Sequence, residues 1–309
     1  MNFREEPFFF ECERERLLGI VAHVDSSLDT GVLIIVGGPQ YRVGSHRQFT
    51  LLARQLAQAG VPTMRFDFRG SGDATGEQRT YEDIDADLGA AVDAFCLRAP
   101  GLKRVILWGL CGASSAALFY AYRDPRVAGL ALVNPWVRTE EGLARTYLRH
   151  YYLRRLLDSQ LWRKVIEGEF DVSESAKSLA RTVKDAVHGW TSRKAPRVTI
   201  GADAIDRTLP LPSRMAIGLE RFAKDVLIIL SGNDYTAQEF RTITEGNAQW
   251  DAALACNRVR RHTIEGANHT FASSAWRDEV AAVTLRWVLE IAAKGSLAPQ
   301  PENLVLVAP

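Results

Sequence analysis

Residues 107–116 read LWGLCGASSA. The apolar run RVILWGL (104–110) has the length and composition of a buried strand, and it leads straight into a small-residue stretch that suits a helix. A strand that becomes a helix within one residue strains that residue, Cys111. Small neighbours relieve the crowding: Gly109 two residues before, Gly112 directly after and Ala113 two after. Such an elbow also places the thiol at a helix N-terminus, where the dipole favours the reactive thiolate. Cys111 is therefore either a presented nucleophile or a small core residue, and the rest of the chain has to decide.

Reading outward, strands and helices alternate. FFFECE and LLGIVAHV form an opening hairpin around Arg14 and Glu15. GVLIIVGG (31–38) is a fully apolar, β-branched strand ending in glycines. HRQFTLLARQLAQAG has helical spacing at Phe49, Leu52, Leu56 and Ala59 and stops at Gly60. VPTMRFDF (61–68) is a strand, TYEDIDADLGAAVDAFCLRA a helix, and VAGLALVNPWV (127–137) a strand. KDVLIILSGND (224–234), a helical stretch to Cys256, RVRRHTIEGANHTF (258–271) and the helix WRDEVAAVTLRWVLEIAA complete the rhythm. This is the pattern of a doubly wound, mostly parallel sheet with an opening antiparallel hairpin.

The rhythm is interrupted once. From Arg138 to Pro212 no buried-strand run occurs, and residues 138–197 carry 13 Lys/Arg against 8 Asp/Glu. The expected organisation is a core of residues 1–137 and 213–295, a helical cap insertion at 138–212 and a loose tail at 296–309. The basic aromatic run RTYLRHYYLRRLL (145–157) reads as a cap helix with its arginines in water, or as a surface for an anionic substrate or carrier.

Two further residues stand at strand ends. Asp234 follows LIILSGN, whose Ser-Gly-Asn is turn chemistry, and His269 lies in the small, polar loop EGANHTF. The order along the chain is Cys111, Asp234, His269, each at the carboxyl end of a strand, where open parallel sheets bind ligands. A carboxylate that orients a histidine, which in turn activates a thiol, is a complete apparatus for acyl transfer. Asp203 and Asp206 lack a strand to aim them. His23, His46, His150, His188 and His262 lie in a hairpin, at a helix start, in the insertion or within a strand. Ser114 also fits a Gly-x-Ser-x-small pattern, but it is one helical turn too late and is expected to pack or cap. An oxyanion hole would use the N–H of Gly112 and one from GGPQYRVGS. Pro39 has no N–H, so Gln40 leads there, with Tyr41 behind it. Gly38, Pro39 and Leu110 are expected on the substrate side. DFRGSGDATGE (67–77) reads as a structural turn in which Asp67 and Arg69 tie loops together.

The remaining features mostly exclude. Net charge is +1, giving no bulk electrostatic case for nucleic acid or membrane. No GxxxxGK[ST] or GxGxxG follows the glycines, so no nucleotide cofactor is implied. Cys12, Cys96, Cys111 and Cys256 are far apart and form no CxxC or zinc spacing. No metal site and a reducing, cytoplasmic setting are expected. MNFREEPFFFECERER (1–16) is not expected to act as a signal peptide, and no apolar stretch is long enough to span a membrane.

WGLCGAS, FDFRGSGDATGE, LSGND and GANHTF together resemble the α/β-hydrolase superfamily over nearly the whole chain. The Trp-Gly-Leu-Cys elbow, IIVGGPQYRVGSHRQF and the long insertion resemble, more narrowly, the type 1 hydrolases of bacterial exosortase-associated loci, which accompany protein sorting and exopolysaccharide production. The resemblance implies an α/β-hydrolase fold with Cys111, Asp234 and His269 as nucleophile, acid and base. The chain departs from the common pattern in having Cys where Ser is usual, as dienelactone hydrolase-like enzymes and polyester synthases also do. The expected substrate is a small-molecule or carrier-linked ester or thioester. Transfer to an acceptor by the same thiol, or a non-catalytic binding scaffold, are the alternatives.

Overall fold

The computed structural model describes residues 2–38, 40–137 and 205–297. An eight-stranded sheet runs through it in the order β1-β2-β4-β3-β5-β6-β7-β8. β1 (Phe3–Cys12) and β2 (Glu15–Val24) pair antiparallel, and β2 pairs antiparallel with β4 (Thr63–Phe66). From β4 onward every pairing is parallel, through β3 (Thr30–Ile35), β5 (Arg104–Leu110), β6 (Val127–Val133), β7 (Asp225–Ser231) and β8 (Val259–Ile264). The hairpin turns on Glu13 and Arg14, both at positive φ (48° and 72°), as a two-residue turn matching strand twist requires.

The central strands carry the core. All six residues of β3 are buried, as are the last six of β5. Helices α1 (Gln48–Gln58), α2 (Asp85–Arg98), α3 (Gly112–Tyr120) and α7 (Ser274–Leu297) connect or cover them. Every residue of α3 is buried, because Gly-Ala-Ser-Ser-Ala-Ala lets it pack closely on all sides. One side meets α4 (Leu211–Arg221): a Cβ on Gly218 would lie 2.5 Å from the Leu118 carbonyl oxygen. β8 forms one edge of the sheet. Its side chains are charged and tied to α7, with Arg260 paired to Glu290 and His262 bonded to Glu279 at 2.8 Å.

Several boundaries differ from the sequence reading. α2 begins at Asp85, because Thr80–Ile84 makes turns in which Thr80 Oγ1 bonds Asp83 and accepts the Glu82 N–H. The helical stretch expected to Cys256 is two helices, α5 (Tyr235–Thr244) and α6 (Ala248–Leu254). Gly246 at φ 70° breaks it, and Asn247 caps the second helix. β6 ends at Val133, four residues short of the expected end, because Asn134 turns to φ 43°. Most of the 138–212 insertion and of the 296–309 tail lies outside the described residues. α4 crosses the expected 212/213 boundary, and α7 crosses that at 295/296.

Replacing Gly218 with Ala sets a methyl against backbone that has no room to retreat. Gly218→Ala is expected to destabilise the fold by about 1–3 kcal/mol, read as a lower midpoint in urea with unchanged slope.

Candidate active site

Cys111 sits between β5 and α3 with φ 63° and ψ −124°, a conformation costing a non-glycine residue roughly 1–3 kcal/mol. Its surroundings hold it there. The Cys111 N–H donates to Val133 O (2.9 Å), and its carbonyl accepts from the N–H of Ser114 (3.0 Å) and of Trp136 (3.3 Å). Gly109 and Gly37 are required by close approach. A Cβ on Gly109 would meet the Ala113 carbonyl carbon at 2.6 Å, and one on Gly37 would meet Leu110 O at 2.4 Å. Ser114 is fully buried and donates to Gly109 O (2.7 Å) while accepting from Val133 N–H (3.1 Å). It fastens the elbow to β5 and β6, as its off-register position suggested.

Asp234 caps α5, accepting from the N–H groups of Thr236 (3.2 Å) and Ala237 (3.1 Å). Its Oδ2 also accepts from His269 Nδ1 at 2.8 Å, and its side chain is only 7% exposed. The two loops are fastened to each other. Gly232 N–H donates to Ile264 O and Asn233 N–H to Ala267 O, both at 2.9 Å, and a Cβ on Gly232 would meet Gly266 N at 2.8 Å.

Cys111 lies near enough to His269 to act on its titration. Burial alone would lower the pKa of the imidazole. The hydrogen bonds and negative charge of Asp234 and Cys111 outweigh it and push the value up to about 10. The geometry thus brings together the three residues that the sequence placed at strand ends, with the carboxylate on one ring nitrogen and Cys111 near the ring.

The loop after β3 lies against the elbow through Gly37. Gly38 has φ 63° with open space around it, and Pro39 lies outside the described residues. Gln40 is pinned: its Oε1 accepts from Ser45 N–H (3.2 Å) and its carbonyl from Ser71 Oγ (3.0 Å). Tyr41 is 46% exposed, with the Arg42 guanidinium over its ring. Leu110, the last residue of β5, is buried directly before Cys111. Asp67 takes the Arg42 N–H (2.7 Å), the Arg42 guanidinium and the Asp73 N–H (3.1 Å), while Arg69 is held by Asp87 and Glu13. Both residues therefore tie loops together, as expected.

Sequence reasoning missed two groups. The Tyr81 ring covers Gly112: a Cβ there would lie 2.9 Å from it. Beside it, Glu82 pairs with the buried Arg214 at 2.6 Å, and Arg207 pairs with Asp83 at 2.5 Å. The described end of the insertion is thus fastened to the loop that walls the elbow. The second group is Asn134, fully buried behind the histidine loop. Neither carries a motif. Only the close approach of loops distant in sequence reveals them. Among the described residues, no three His, Cys, Asp or Glu side chains are grouped to hold a metal, and no helix is long and apolar enough to cross a membrane.

A doubly wound sheet, an elbow at the end of its central strand, and an aspartate and a histidine on the loops after β7 and β8 define a class of fold rather than one protein. Residues 32–283 match the alpha/beta hydrolase family, and the chain belongs to it. No curated protein matches the chain. Solved structures with a similar fold include the Pyrococcus furiosus esterase Pf2001, 14% identical, with a TM-score of 0.61, covering 94% of this chain and 92% of that one. The esterase domain of a Rhodothermus marinus protein is 16% identical, with a TM-score of 0.55 over 93% of this chain and 99% of that one. A dienelactone hydrolase from Anabaena variabilis is also 16% identical, with a TM-score of 0.55 over 94% and 99%.

The folded pKa of His269 exceeds the value of about 6.5 of an unfolded histidine, so its contribution to stability is full below about pH 6.5 and is lost as pH rises toward 10. Cys111→Ala removes one of the two partners that raise it. The His269 ring, followed by NMR, is expected to titrate lower in Cys111→Ala by about one unit or more.

Proposed function

We propose that this protein is a cysteine-dependent acyl hydrolase acting on an ester or thioester. The observation that carries the reading is the His269 Nδ1 to Asp234 Oδ2 hydrogen bond of 2.8 Å beside Cys111, which is held at positive φ at the N-terminus of α3. In the proposed reaction His269 keeps the proton of the Cys111 thiol, and Asp234 stabilises the resulting imidazolium. The Cys111 thiolate adds to the acyl carbonyl, and the oxyanion is held by the N–H of Gly112 and by one from the loop at Gln40 and Tyr41. Collapse breaks the bond to the leaving group, which takes the proton from His269. Water, deprotonated by His269, then adds to the acyl-thioester, and the acid leaves as the thiol is restored.

The cysteine itself favours a second outcome. A thioester is a good acyl donor to an amine, alcohol or thiol, so an acyltransferase using the same centre is the alternative. The esterases and the dienelactone hydrolase among the similar folds support an acyl substrate. The elbow and loop motifs shared with exosortase-associated hydrolases support a role beside exopolysaccharide production or protein sorting. Free, widely spaced cysteines support a cytoplasmic setting.

Incubation with p-nitrophenyl esters and acyl-CoA thioesters, followed by peptide mass spectrometry, tests the assignment. The expected acyl adduct is on Cys111, with turnover abolished in Cys111→Ala and reduced roughly 10²–10⁴-fold in Asp234→Asn. An adduct on the exposed Cys256, with Cys111 unmodified, overturns it.

A further inference from the structure

We propose that Asn134 is a positioning residue for His269, holding the main chain of the histidine loop where the imidazole can meet both Asp234 and Cys111. This rests on the catalytic reading above. Asn134 follows β6 directly, is fully buried and adopts φ 43°, a conformation that Asn tolerates better than most side chains. Its N–H donates to Ile229 O at 2.9 Å, which continues the β6–β7 ladder one step past the strand end.

The side chain then bridges two further segments. Nδ2 donates to Ser231 Oγ (2.8 Å) and to the carbonyl of His269 itself (3.1 Å). Oδ1 accepts from Ser231 N–H (2.8 Å), and Ser231 Oγ donates to Asn268 O (2.9 Å). Both amide hydrogens and the amide oxygen are therefore engaged, and two consecutive carbonyls of the histidine loop are held. An anchor serving only to bury the loop could attach anywhere along it; this one attaches at the histidine.

The neighbouring residue gives the anchor its reference point. Val133 O accepts the N–H of Cys111 (2.9 Å), and Val133 N–H donates to Ser114 Oγ (3.1 Å). Residues 133 and 134 thus fasten the nucleophile elbow with one residue and the histidine loop with the next. The end of β6 supplies none of the three reacting side chains, yet it sets the distance between two of them. A hydrogen-bonded amide buried here also has no easy substitute, since a side chain that fails to satisfy Ser231 N–H or the His269 carbonyl leaves a buried polar group unpaired.

Asn134→Gly accepts the positive φ but removes the whole clamp, and Ser231→Ala removes half of it with less risk to folding. In the full-length protein, Asn134→Gly is expected to lower kcat by roughly 10- to 100-fold with KM changed by no more than about twofold. The His269 ring, followed by NMR, is expected to titrate lower by about one unit, as its contacts with Asp234 and Cys111 loosen. Ser231→Ala should move both readouts the same way by less, and it decides the matter if Asn134→Gly does not fold. A folded Asn134→Gly that loses thermal stability but keeps the wild-type kcat and His269 titration overturns the proposal. The titration needs no turnover, so it still reports on Asn134 if Cys111 proves not to be acylated and the catalytic reading itself fails.

Discussion

The backbone at Cys111 would not keep a positive φ unaided; it stays there because every group around it is already committed. Its N–H is taken by β6, its carbonyl by α3 and by Trp136, and the space beside it is closed by Gly37 and Gly109. The strain is thus offset by bonds formed on both sides of the turn. The same constraint keeps Cys111 at the N-terminus of α3, outside the helix it precedes. Glycine at 37 and 109 follows from the same constraint, since a single methyl at either would collide with the backbone of the elbow.

The acid and the histidine are organised differently. Neither Asp234 nor His269 is strained at its backbone; each is aimed by a loop that is bonded to the other loop. Asp234 divides its oxygens between the first turn of α5 and the imidazole, so the helix cap and the histidine orienter are one carboxylate. The imidazole lies between the Asp234 carboxylate and Cys111, and the rise in its pKa expresses that geometry as a charge preference.

Strand-level architecture was legible because parallel strands buried on both faces write themselves as apolar runs, as at GVLII and RVILWGL. The three candidate residues stood out because each lies at or just past the carboxyl end of a strand, although β8 before His269 is a charged strand and not an apolar run. Helix starts were harder. Asp85 opens α2 because Thr80 and Asp83 satisfy each other in a turn, a local competition that periodicity does not register. Tyr81 and Asn134 left no trace at all, since each matters only through a residue more than thirty positions away.

The sheet order also has a consequence for how the protein is made. Cys111 precedes the insertion, while Asp234 and His269 follow it, and the pairing of β6 with β7 is the seam that joins the two parts. A ribosome delivers the elbow long before it delivers residues 225–269. Throughout that interval the nascent chain carries Cys111 with neither Asp234 nor His269 beside it. Cys111, Asp234 and His269 come together only with the last strands, so their meeting doubles as a certificate that synthesis and folding have both finished.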